Sequence, residues 1–267
     1  MKRFGVVLLA LAAVRCGGGG TATPTVETAK RPTAAPTTAV TTTTIAVTDA
    51  GSIARDFFQA AAAYDPDRHR KMLGLSLPGS PAHLYAKFQV ATLEATLHRG
   101  QQPPADDTVQ VTTDAIKICG AQSGQNASDC TAFTGFIADT RKLTSFQVNG
   151  LRIDDRLVDG QGRPVVQAGG ASFALVAAYE LVTRPSLSMV IEVRNGPAAL
   201  NLNGFRTRYV GADGRQVSNS GIIGPGNLRP SATAKFWMTF DGATKGGRLY
   251  ASGLGSDLNR FEAVIPV

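Results

Sequence analysis

The spacing of apolar residues divides the chain into four stretches. Phe4 to Val14 is an unbroken apolar run. From Gly17 to position 48 apolar side chains are sparse among Thr, Ala, Pro and Gly. From Ile53 they recur at intervals of three and four, through Phe57, Ala61 and Tyr64, and again through Leu84, Phe88, Ala91 and Ala95, which is the period of amphipathic helices. After Pro104 the interval drops to two, as in Val109–Val111 and Ile116–Ile118, and stays there to Val267, which is the period of half-buried strands.

Local signals set the ends of these elements. Asp49 or Ser52 can cap a first helix, and Asp65–Pro66–Asp67 combines an N-cap, a first-position proline and an acidic first turn. Ser80–Pro81 repeats the device ahead of a longer helix that Gly100 and Pro103 close. Strands are expected around Thr131–Ile137 and Leu143–Val148, with a turn at Asp139–Lys142 and a hairpin signal at Asn149–Gly150. Helices followed by a strand meander make an α+β unit over 49–170. From 171 to 267 no helical period survives. Strands such as Phe173–Val182, Leu187–Val193, Phe205–Val210, Ala234–Phe240, Arg248–Ser252 and Phe261–Val267 alternate with turn residues, and about seven such strands predict a β-sandwich.

The first two stretches concern location. Lys2 and Arg3 precede the apolar run, which is well short of the ~20 residues that span a bilayer and reads instead as an export signal. Cys16 and the glycines at 17–20 follow at once, so 1–16 is expected to be a leader and Cys16 a lipidated first residue. Residues 17–48 hold nothing to bury and form a tether; at ~3 Å per residue it reaches on the order of 100 Å.

Composition refines this picture. An apolar fraction of 43% is ample for folded cores. The formal charge is +7, of which Lys2, Arg3 and Arg15 supply three, leaving 7 − 3 = +4 on the mature chain. From Ala171 onward ten Arg or Lys stand against six Asp or Glu, a difference of four that accounts for that excess. Without a Lys/Arg-dense run, nucleic acid is not an expected partner; anionic headgroups or wall polymers suit the charge better. Of three cysteines, Cys119 and Cys130 flank a polar, Gly-bearing connection and are expected to pair as a disulfide.

Three resemblances add to these readings. The segment around Cys16 resembles a bacterial lipoprotein signal of actinobacterial type, L-[AS]-[GA]-C, although Ala13–Val14–Arg15–Cys16 places Arg15 at the small-residue site. Cleavage after Ala12 by the ordinary signal peptidase, giving a soluble secreted protein, is the alternative. The order of elements in 49–170 resembles the cone-shaped folds related to nuclear transport factor 2, which implies helices closing over a curved sheet. "VIEVRNG", "YVGADGRQV" and "LRPSATAKFWMTF" in the last stretch resemble the immunoglobulin-like domains of exported lipoproteins, with Ser231 where glycine is usual. That resemblance implies adhesion or assembly and carries no catalytic residues.

The search for chemistry returns little. His69, His83 and His98 fall in no ligand spacing, and Asp106–Asp107 and Asp154–Asp155 are neighbours that a strand would point to opposite faces. No nucleophile elbow, P-loop, dinucleotide fingerprint or zinc-protease motif is present, and no cofactor or metal is expected. One surface stands out. If Phe236, Met238 and Phe240 point inward, Lys235 and Trp237 point outward, and Arg206 and Arg208 do the same on their strand. Neighbouring strands would then place one Trp among three cations, a patch suited to a partner, a glycan or headgroups; otherwise Trp237 packs against the first unit. The leading expectation is a lipid-anchored envelope protein that binds or assembles without catalysis. A small-ligand binder using a cone-shaped pocket in the first unit, and a cell-wall enzyme with an unrecognised site, are the alternatives.

Overall fold

The computed structural model describes residues 47–97, 105–120, 130–182, 184–255 and 259–267. Helix α1 (Val47–Ala61) buries Ala54, Phe57 and Phe58. Helix α2 (Pro66–Leu75) starts as its sequence dictates: the Asp65 carboxylate accepts from the Arg68 N–H at 2.8 Å and Pro66 fills the first turn. Helix α3 (Pro81–Leu97) begins at Ser80, whose hydroxyl accepts from the His83 N–H.

A five-stranded antiparallel meander follows: β1 (Thr108–Val111), β2 (Ile116–Cys119), β3 (Cys130–Asp139), β4 (Lys142–Val148) and β5 (Leu151–Arg152), side by side in sequence order. Cys119 and Cys130 face each other across β2 and β3, with Cα atoms 4.2 Å apart, and are joined by a disulfide. Closing so short a loop stabilises by about 2–3 kcal/mol. Asn149 and Gly150, at φ 49° and 78°, make the tight turn between β4 and β5.

Two further sheets form the sandwich. The inner one holds β6 (Leu157–Asp159), β7 (Val166–Ala168), β8 (Ala171–Glu180) and β9 (Ser186–Asn195). The outer one is built on β10 (Leu200–Val210) and β11 (Gln216–Ser218). Of the remaining strands, β12 (Gly221–Ile223) and β14 (Thr233–Asp241) join the inner sheet, while β13 (Asn227–Leu228), β15 (Arg248–Leu254) and β16 (Arg260–Pro266) join the outer one. Between the two sheets lies a core of Phe173, Leu187, Met189, Ile191, Tyr209, Phe236, Met238, Phe240 and Ile265. Because β6 and β7 both pair with β8, the change of sheet falls between Arg152 and Leu157. Strands β6 and β7 thus lie within the stretch 49–170 by sequence but pair into the inner sandwich sheet.

The layers stack as sheet, helices, sheet, sheet. Helix α3 lies between the meander and the inner sandwich sheet, touching β4 on one side and β6, β8, β9 and β14 on the other. It therefore buries Ala82, Tyr85, Ala86, Phe88, Val90, Ala91, Leu93 and Ala95 rather than a single stripe. Strand β9 is enclosed in the same way: Leu187, Met189 and Ile191 enter the sandwich core, while Val190 joins the core beneath the helices.

Candidate interaction surface

The side of the meander that faces the helices is filled by the protein's own aromatic rings. Phe58 stacks on Phe133 with centroids 4.1 Å apart, and Phe146 is met edge-on by Phe58 at 5.0 Å and by Tyr85 at 5.1 Å. Tyr179 of the inner sandwich sheet closes the far side against Tyr85 at 5.7 Å and Phe88 at 5.8 Å. Phe133 and Phe136 both reach this cluster, three residues apart, because the pairing of β3 with β4 slips beyond Thr134 and Gly135 sits there at φ 59°. Each enclosed phenyl ring contributes about 2–3 kcal/mol by leaving water.

The polar groups nearby serve the fold. Asp106 accepts from the Tyr64 N–H and pairs with Arg68 at 2.6 Å. Asp154 accepts from Ser145 and Arg152. His83 Nδ1 stands 3.1 Å from the Ser76 hydroxyl, which resembles a base and its nucleophile. That hydroxyl, however, is fully buried and donates to the Met72 carbonyl at 2.8 Å, so it can only accept from His83. The proton runs the wrong way for an activated serine. His69 is buried near Ala63, and desolvation holds its pKa below the ordinary value. Among the described residues no three His, Cys, Asp or Glu side chains cluster as metal ligands would. His98 lies outside the described residues.

The four residues singled out as an outward patch are not brought together. Lys235 and Trp237 are on β14, whose neighbours are β9 and β12; Arg206 and Arg208 are on β10, in the other sheet. Outward on β14 means toward the helices. Trp237 packs against their core and donates from Nε1 to the Ser188 hydroxyl at 2.7 Å. Lys235 donates to Glu94 on α3 at 2.7 Å, and Arg70 of α2 holds the other Glu94 oxygen at 2.7 Å. Burial alone would raise the Glu94 pKa, but the hydrogen bonds from Lys235 and Arg70 outweigh it and hold the carboxyl below its usual range. Half of the expected patch is thus a seam between α2, α3 and the sandwich.

Arg206 and Arg208 belong to a different and larger surface. Tyr209, Leu249, Ala251, Phe261, Ala263 and Ile265 point into the sandwich, so the intervening side chains of β10, β15 and β16 share the outer face. Strand register arranges them in rows: Val210–Arg248–Pro266, Arg208–Tyr250–Val264, Arg206–Ser252–Glu262 and Leu254–Arg260. The Arg208 guanidinium lies 4.2 Å from the Tyr250 ring centroid and donates to Glu262 at 2.6 Å. Arg206, Arg248 and Arg260 are exposed and make no ion pair among the described residues. The strand positions of this face carry four arginines against one acid, 4 − 1 = +3. Arg248, Tyr250 and Arg260 were legible as outward residues from the alternation Arg248–Leu249–Tyr250–Ala251 and Arg260–Phe261–Glu262–Ala263; only the sheet pairing shows that they join Arg206 and Arg208.

Cys16 lies outside the described residues. Among those described, no helix is long and apolar enough to cross a membrane. No family model matches the chain, and neither a curated protein nor a solved structure matches it.

Proposed function

We propose that the chain is a lipid-anchored, extracytoplasmic envelope protein that acts by binding or assembly rather than by catalysis. The observation that carries this reading is the outer face of β10, β15 and β16, where Arg206, Arg248 and Arg260 stand exposed with no ion-pair partner among the described residues. The filled aromatic interior beneath the helices supports it, since a cone-shaped ligand pocket would occupy the space that Phe58, Phe133, Phe146 and Tyr85 take up. The likeness of about 80 residues of the last stretch to immunoglobulin-like modules supports adhesion or assembly. Cys16 with its glycine run supplies the anchor, and 17–48 supplies the reach.

Two measurements test the proposal. The intact mass of full-length protein from bacterial membranes should show a diacylglyceryl adduct on Cys16; an unmodified or cleaved-off cysteine removes the anchor. A Cys16→Ser chain should still co-sediment with purified envelope fragments at low salt. Failure to sediment at any salt concentration overturns the binding reading.

A further inference from the structure

The four rows of the outer face each hold one arginine: Arg248, Arg208, Arg206 and Arg260 in turn along the strand direction. Successive rows are two residues apart, so along the strand direction Arg206 lies about 14 Å from Arg248 and Arg260 about 7 Å beyond Arg206, with neighbouring strands about 4.8 Å apart across the sheet. This is a spread of charges over three strands and not a point site. All four are arginines, whose planar forks match phosphate and carboxylate oxygens in pairs. Arg208 is already fixed by Glu262 and Tyr250, while Arg206, Arg248 and Arg260 have no ion-pair partner among the described residues and are placed to meet an outside anion.

We infer that this face docks a linear phosphodiester polymer running obliquely across β10, β15 and β16, with phosphates on Arg248, Arg206 and Arg260. The inference rests on the binding reading above and names its partner by chemistry. Combined with the lateral steps between strands, the intervals of about 14 Å and about 12 Å between these arginines are each about two repeats of an extended chain whose phosphates are separated by three-carbon links, so such a chain would meet them at every second phosphate. A bilayer is a poorer match, because surface-bound proteins insert an apolar stripe. Here Val264 and Leu254 are separated by the Ser252–Glu262 row. Single-stranded nucleic acid binds by stacking bases on open aromatic faces, and the Tyr250 ring is covered by the Arg208 guanidinium.

The test uses the full chain carrying Cys16→Ser, so that no lipid contributes. Its binding to fluorescent poly(glycerol phosphate) is compared with that of an Arg206→Gln/Arg248→Gln/Arg260→Gln variant. A second variant, Arg55→Gln/Lys71→Gln/Lys117→Gln, removes the same charge from exposed positions elsewhere. The expected result is salt-dependent binding that is about 10-fold or more weaker in the first variant, with a shallower salt slope, and unchanged in the second. Equal losses in both variants would reduce the effect to net charge and overturn the inference. So would tighter binding to phosphatidylglycerol vesicles or to a single-stranded oligonucleotide with the same arginine dependence. If the first variant loses envelope sedimentation while the polymer fails to bind the parent chain, the face survives and the polymer does not. Thermal unfolding of both variants must match the parent, as expected for exposed side chains.

Discussion

Ser231 adopts φ 58°, a left-handed conformation that costs a side chain with a Cβ about 1 kcal/mol. It stands where the immunoglobulin-like pattern that the sequence resembles has glycine, and its N–H donates to the Gly196 carbonyl at 2.7 Å, so the turn holds its geometry in spite of the residue. Ser231→Gly should therefore stabilise by about 0.5–1 kcal/mol, read as a raised denaturant midpoint with an unchanged slope. A lowered midpoint would mean that the serine side chain contributes more than the backbone loses. This position was legible in the sequence as a departure from a pattern, but its sign needed the backbone angle. Thr140 and Arg141, at φ 47° and 62°, make the same point: the Asp139–Lys142 turn was expected, although neither central residue is the usual Asn or Gly.

At the scale of elements, bulges decide which face a side chain joins. Along β8, Ala171, Phe173 and Leu175 enter the sandwich core. Strict alternation would send Ala177 and Tyr179 after them. The pairing of β8 with β9 slips between Leu175 and Ala177, and Ala177 and Tyr179 instead join the core beneath the helices while Ala178 stays in the sandwich. Gly160 sits against this irregularity: its N–H donates to the Val176 carbonyl at 3.1 Å, and a Cβ there would overlap the Leu175 carbonyl. Gly160→Ala should destabilise by roughly 2 kcal/mol, since backbone must move to admit the methyl. Chemical unfolding checks this, and an unchanged midpoint would show that β6 is not held as described. Sequence periodicity located β8 well but missed the slip, because a bulge depends on the strand opposite.

At the scale of the molecule, α3 and its charged seam join the meander to the sandwich. Asp67, Arg70, Glu94, Lys235 and Glu192 form a run of alternating ion pairs from α2 across α3 to β14 and β9. Acid should weaken this assembly in two stages. Burial holds His69 below its ordinary pKa, and burial followed by the nearby Lys87 does the same for His83. From about pH 6.5 downward the unfolded chain binds protons that the folded one refuses, so stability falls until the folded-state values are reached. Glu94, Asp106 and Asp159 are lowered carboxyls, so their contribution is present above about pH 4 and is lost below it. Thermal unfolding between pH 7.5 and 5 should show a fall that His69→Gln reduces and added His83→Gln reduces further. An unchanged slope in both variants would place the acid sensitivity elsewhere.

The sequence by itself determined the elements: three helices, the second and third capped by Asp65 and Ser80 while the first starts at Val47, ahead of its expected caps Asp49 and Ser52, then strands, with a disulfide closing the β2–β3 loop, because capping, turn chemistry and hydrophobic period act over a few residues. It also determined the face of each strand on which Arg206, Arg208, Arg248, Tyr250 and Arg260 stand. Tertiary structure decided which faces meet. Trp237 and Lys235 turned inward to α3, while Arg206 and Arg208 came beside Arg248, Tyr250 and Arg260 on the outer sheet. Side-chain direction follows from a period of two along one strand. Neighbourhood between strands depends on pairings across tens of residues, which no local pattern encodes.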